Sequence, residues 1–233
     1  MSGLWDAFGV GLLAQSSLLL AGVVVCWIRF SSRVVGLLAG FGAGALIAAI
    51  AFDLLPEAGT LSGWQLTLGM LAGVAIFLAG DRIVEKRFGD RGEGGAMGIV
   101  VGSVVDGVPE SVIIGIQIAS GNPVGAAFIG AVWVSNVPQA IAPSAELAKN
   151  GWSAWRLGRL WALVVLACGV AAAAGYAVTE LTGTATGAWM AAIAAGGLLA
   201  MLTDSLIPFA YERGKDLAGA ATVLGFCLAL GGS

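Results

Sequence analysis

The chain has 233 residues, 58% of them hydrophobic and only 11% charged, with a formal net charge of −3 and no histidine. Soluble domains carry about 25% charged and about 45–50% apolar residues, and a chain this short has too little interior to hide the excess. A water-soluble globule is therefore excluded, and the expected solvent is lipid. Length fits one domain, 1–233, with room for roughly eight spans of about 20 residues.

Taken in order, the apolar runs predict transmembrane helices at 5–28, 34–55, 64–80, 95–118, 124–145, 157–178, 187–210 and 217–231. The first run has Asp6, no Lys or Arg, and no small-residue cleavage site after it. It reads as a span rather than a signal peptide. The second carries Gly36, Gly40 and Gly44 at four-residue spacing, a close-packing face whose partner helix lies either in this chain or in another. The longest polar connection, 81–94, follows the third run, and Ser120-Gly121-Asn122-Pro123 predicts a tight turn after the fourth. Trp5, Trp27, Trp64 and Trp152 lie near span ends, where an aromatic belt anchors helices. Cys26, Cys168 and Cys227 sit in separate apolar runs, without disulfide or metal spacing.

All eleven basic residues fall in alternate connections: Arg29 and Arg33, then Arg82, Lys86, Arg87 and Arg91, then Lys149, Arg156 and Arg159, then Arg213 and Lys215. A miscounted span would break this alternation. The positive-inside rule puts these connections in the cytoplasm and both termini outside, as in a multi-pass plasma (inner) membrane protein.

Five acids lie within spans or at their ends, namely Asp53, Glu57, Asp106, Glu110 and Asp204, and no Lys or Arg lies at comparable depth. A charge at the bilayer centre costs at least about 2.5–3.5 kcal/mol, so these groups must take a proton, bind a cation, or reach a water-filled cavity. Asp106 and Glu110 are four residues apart on one helix face. Pro109 frees the carbonyl of Val105, and Pro138 frees that of Val134. With Ser135, Asn136 and Gln139 in the fifth span, these residues form a plausible oxygen-rich cation cage. The same residues also suit a polar helix-packing interface. Asp53 and Glu57 would form an outer vestibule or a wet helix end, and Asp204 would line the exit. Segment 52–58 (Phe-Asp-Leu-Leu-Pro-Glu-Ala) resembles segment 203–210 (Thr-Asp-Ser-Leu-Ile-Pro-Phe-Ala), in a span running the opposite way. Inverted repeats with broken helices at the midplane point to a transporter site.

At these residues the chain resembles the ZIP (Zrt-, Irt-like) family of divalent metal transporters. The family's His-Asn-x-Pro-Glu-Gly pattern in the fourth span appears here as Asp106-Gly107-Val108-Pro109-Glu110-Ser111. Its fifth-span pattern appears as Ser135-Asn136-Val137-Pro138-Gln139-Ala140, and its second-span His-Leu-Leu-Pro-Glu as Asp53-Leu54-Leu55-Pro56-Glu57. Its seventh-span Asp-Glu-x-Ile-Pro-Glu appears as Asp204-Ser205-Leu206-Ile207-Pro208-Phe209, with both Glu positions substituted. Every family histidine that can be matched is something else here, and Gln139 replaces the acid that would bridge two metals. Hard oxygen donors alone suit manganese, magnesium or calcium better than zinc.

The resemblance implies an eight-helix ZIP-like bundle that imports zinc, manganese, iron or a similar divalent ion by elevator-like movement, and a homodimer. Asp106, Glu110, Ser135, Asn136 and Gln139 would be metal ligands, and Asp53, Glu57 and Asp204 the ion pathway. The ion is substrate, and no permanently bound cofactor is expected. The partners expected are lipid and divalent ions, with no nucleic acid. No ATP-binding, metalloprotease or nucleophile motif is present, so no enzyme is expected. A proton-coupled transporter or channel for another solute, and a non-transporting metal sensor or scaffold, are the alternatives. The topology predicts that, after removal of the three native cysteines, Thr60→Cys reacts with an impermeant thiol reagent from outside intact cells. Lys86→Cys reacts only after the cells are opened, and the reverse pattern would invert the orientation.

Overall fold

The computed structural model describes residues 2–88, 93–121 and 124–231, with the side chains of some helical positions left out. It is all-α. Eight helical rods stand at the eight predicted positions: α1 (Ser2–Val24), α2 (Ser32–Thr60), α3 (Gly63–Phe88), α4 (Glu93–Ala119), α5 (Ala126–Lys149), α6 (Ala154–Thr182), α7 (184–214) and α8 (Asp216–Gly231). The predicted turn at 120–123 lies partly outside the described residues, as do parts of the basic connection after α3. Helix α3 continues to Phe88, past the predicted end at 80, with residues 81–83 exposed. Backbone hydrogen bonding carries the helix beyond the apolar run that announces it.

Local chemistry sets the boundaries. Ser31 caps α2 by accepting from the Val34 N–H at 3.3 Å, and Ser153 caps α6 by accepting from Arg156 N–H at 3.4 Å. Such hydroxyls satisfy the orphan donors of a first turn. At α3 the Ser62 N–H donates back to Gln65 Oε1 at 2.9 Å, half of a capping box. Gly183, with φ 86°, both ends α6 and starts α7, a left-handed position that glycine takes without strain.

Five helices among the described residues are long and apolar enough to cross a membrane: α1, α2, α3, α6 and α7. Helix α8 has 16 residues, and the described apolar stretch of α4 is Glu110–Ala119. Helix α5 carries Ser135, Asn136, Gln139 and Ser144 through its middle. Large apolar side chains face outward all around the bundle, among them Leu71, Ile76, Leu163, Val223 and Leu228. An apolar exterior of this extent is that of a protein immersed in lipid.

Glycines let the rods touch backbone to backbone. A Cβ on Gly44 would overlap the Thr222 carbonyl oxygen, and one on Gly225 would overlap that of Phe41. Gly40 lies against Ala218 in the same way, and Gly36 meets Gly214 at the end of α7, so the glycine face of α2 finds its partners, α8 and the end of α7, within this chain. Helix α3 meets α7 identically, Gly73 on the Ile193 carbonyl and Gly196 on that of Met70. The two sets are related by one constant: adding 152 takes Phe41 to Ile193, Gly44 to Gly196, Met70 to Thr222 and Gly73 to Gly225. Helix starts obey it too, Ser2 to Ala154 and Ser32 to Thr184. Contact numbers rise together along α2 with α8, α3 with α7, and α4 with α6, so those pairs are parallel. They run oppositely along α1 with α6, where Gly3 meets Tyr176 and Gly22 meets Trp161.

Gly44→Ala or Gly196→Ala must therefore pry a helix pair apart, at about 1–3 kcal/mol. Gly219→Ala, with nothing within 4 Å of its Cβ, is neutral. Melting temperatures in one detergent compare the three.

Candidate cation site

Helices α2 and α7 each widen by one residue at the same place. The π segments Ile50–Leu54 and Leu202–Leu206 are again 152 apart, and each is closed by an i→i+5 bond, Leu55 N–H to Ile50 O and Ile207 N–H to Leu202 O. Two residues beyond each segment stands a proline, Pro56 or Pro208, which has no N–H to continue the regular ladder. π-Bulges gather at functional sites, and each of these holds an acid. The acids are one position out of register. Asp53 is the fourth residue of its segment and Asp204 the third, so Asp53 corresponds to Ser205. Asp53 is half-buried and faces the start of α5, where a Cβ on Gly125 would stand 3.9 Å from its Oδ1. Asp204 is exposed. Glu57 is half-buried. Ser120, just past the end of α4, lies beside its carboxylate, and its Oε1 is buried with no protein partner.

The interior of the bundle holds the second group. Glu110 of α4 is 0% exposed, and its Oε2 accepts a hydrogen bond from Gln15 Nε2 of α1 at 3.1 Å. Gln15, also 0% exposed, in turn accepts at Oε1 from Asn136 Nδ2 of α5 at 2.7 Å. Three helices are thus tied by side-chain bonds around one carboxylate. Gly107 makes room for this. A Cβ there would stand 2.9 Å from Cys168 Sγ and 3.3 Å from Gln15 Oε1. Gln139, one turn beyond Asn136, has its Oε1 buried with no protein partner.

Of the sequence-predicted ligands, Glu110 and Asn136 are brought together, and Gln139 follows on the same helix. Asp106 lies on α4, but its side chain lies outside the described residues. Ser135 is buried, yet its Oγ donates to the Val132 carbonyl at 2.9 Å and its backbone packs against Gly42 of α2. It acts as a helix-contact residue in this arrangement. Among the described residues no three Asp, Glu, Cys or His side chains converge on a common point. A cation held here would draw on Glu110 with neutral amide oxygens.

Sequence reasoning passed over Gln15, although the triplet Gln15-Ser16-Ser17 interrupts an apolar span. It also passed over a heptad stripe on α4. Ser103, Glu110 and Gln117 recur every seven residues and are 3%, 0% and 4% exposed. Such spacing keeps polar groups on one helix face. With Ser120 beside the Glu57 carboxylate, the stripe continues toward Glu57.

No model of a known protein family matches this chain, and no curated protein sequence matches it.

The Gln15 bridge predicts non-additive stability. Leu at Gln15, at Asn136 and at both should give a double-mutant coupling of about 0.6–1.7 kcal/mol, the range of interhelical hydrogen bonds in membranes. Additive losses in chemical denaturation would mean that the bridge does not form.

Proposed function

We propose that the protein is a divalent-cation transporter of the ZIP type, carrying metal across the plasma membrane toward the cytoplasm. The observation that carries this reading is the Asn136–Gln15–Glu110 chain, which ties α5, α1 and α4 around a carboxylate with no exposure to solvent. A stable membrane helix bundle needs no buried acid. Removing a carboxylate from water is costly unless charge and hydrogen bonds meet it, whereas a transported cation needs such a group.

The architecture supports the same reading. Parallel α2–α8, α3–α7 and α4–α6 pairs with antiparallel α1–α6 are what eight successive crossings produce. Two three-helix units offset by 152 residues, with α1 and α6 antiparallel, fit an inverted repeat with both termini on one side, which the basic connections assign to the outside. In such transporters the substrate site lies between the repeats, near interrupted helices. The Asp53 and Asp204 π segments are the interruptions here.

In this mechanism a cation enters past Asp53 and Glu57, which attract it and replace part of its water. It passes Ser120, just beyond α4, and Gln117 on α4 to Glu110, where Asp106, Asn136 and Gln139 complete the coordination. All-oxygen donors favour manganese, magnesium or calcium over softer ions. Entry of a divalent ion along a potential of about 100 mV gains about 4.6 kcal/mol, at about 2.3 per charge. That gain drives uptake without a nucleotide. Asp204, exposed at the π segment of α7, receives the ion on release.

Proteoliposomes test the proposal. Saturable uptake of manganese, zinc, iron, cadmium or magnesium is expected, and it is lost in Asp106→Ala/Glu110→Ala protein that remains folded. Gln139→Ala is expected to raise the KM with a smaller effect on the maximal rate. Absence of flux for every ion above empty liposomes would refute transport.

A further inference from the structure

Where α5 and α7 end and α2 begins, the bundle leaves a cavity of about 460 Å³. One wall is apolar, built from Phe30, Val35 and Ile141, and the rim carries Glu146, Lys149 and Arg213. None of these residues belongs to the candidate cation site. The combination is unusual for a solvent-filled cleft. A purely aqueous pocket gains nothing from the apolar wall, and a purely apolar one would not gather three charges.

Arg213 is held in place. The Arg213 guanidinium carbon lies 4.2 Å from the centroid of the Phe209 ring, a cation–π contact that orients it. Its backbone is fixed against α2, since a Cβ on Gly36 would stand 2.7 Å from the Arg213 Cβ. Lys149 occupies the last turn of α5. Among the described residues neither cation makes an ion pair with a carboxylate. The N-terminus of α2, capped by Ser31 and entering the cavity at Ser32, adds the positive end of a helix dipole. Among the described lining residues only Glu146 stands against these, so the rim keeps a net positive charge.

We propose that this cavity binds the headgroup of an anionic phospholipid, with Lys149 and Arg213 holding its phosphate and the apolar wall covering its glycerol and upper acyl chains. Position favours a lipid. The cavity opens at helix ends in a protein whose exterior is apolar, at the level where headgroups lie, and basic pockets between membrane helices bind such groups. Charge favours an anionic one. A zwitterionic headgroup brings its own ammonium beside two cations, whereas a phosphoglycerol headgroup brings one negative charge and hydroxyls that donate to Glu146. The bound lipid would clamp the end of α5 to α2 and α7.

The test uses the full chain in a neutral detergent, with short-chain phosphatidylglycerol, phosphatidylethanolamine and phosphatidylcholine added separately and bound lipid read by native mass spectrometry. Phosphatidylglycerol is expected to be retained preferentially, and inorganic phosphate at equal concentration not to displace it. Lys149→Gln/Arg213→Gln should weaken retention by at least about tenfold, the loss of two headgroup charges. Ala145→Phe, which fills the cavity without changing its charge, should do the same. Lys149→Arg/Arg213→Lys, which keeps both charges, should retain the lipid and controls for folding. Retention unchanged in the Gln and Phe variants would overturn the proposal. So would equal retention of all three lipids, or displacement by phosphate, which would mark an anion site indifferent to the lipid.

Discussion

Helices α2 and α8 touch through their backbones, and so do α3 and α7. At Gly44, Gly73, Gly196 and Gly225 no Cβ can be accommodated, because a carbonyl oxygen of the facing helix occupies its place. In lipid no hydrophobic force drives helices together, so this close approach, with its dispersion contacts, is the main source of association. The rest follows from it. The two glycine pairs fix how far α2 and α7 stand from their neighbours. Gly42 on α2 then seats Ser135 of α5, and α5 comes to rest with Asn136 facing Gln15. One glycine spacing, used twice at an offset of 152 residues, builds the frame that holds the polar interior.

That interior is small. In hydrocarbon an unsatisfied polar group costs several kcal/mol, so each buried polar group must find a hydrogen-bond partner or a ligand. Here Gln15 and Asn136 spend their amides on each other and on Glu110. Gln117, Gln139 and Glu57 each keep a buried oxygen with no protein partner. On the proposed function, oxygens of this kind, distributed along α2, α4 and α5, would receive a dehydrating cation at successive steps. No single cage of acids is needed if the ion is passed along a seam that holds one carboxylate at each end.

How much of this the sequence made legible depended on the kind of signal. Eight helices were readable because apolar runs and the alternation of Arg and Lys are long-range patterns that many residues report together. Glu110 and Asn136 were readable because a charge or amide inside an apolar run stands out against the cost of burying it. Ser135 was read as a ligand but turns its hydroxyl to its own helix, since a serine can always bond the carbonyl of the preceding turn. The π segments at Asp53 and Asp204 were foreshadowed only by Pro56 and Pro208, and their register shift of one residue needs the backbone to be seen. Gln15 has no pattern of its own. It matters because of what α4 and α5 bring to it, which is tertiary information.

On the proposed function, Glu110 coordinates a cation within the bundle. Crystals of the protein soaked in manganese, measured for anomalous scattering, test it most directly. A peak is expected at bonding distance, about 2.0–2.6 Å, from a Glu110 carboxylate oxygen, with an oxygen of Asn136 or Gln139 beside it. Manganese found only at the exposed acids, with Glu110 still accepting from Gln15, would contradict it.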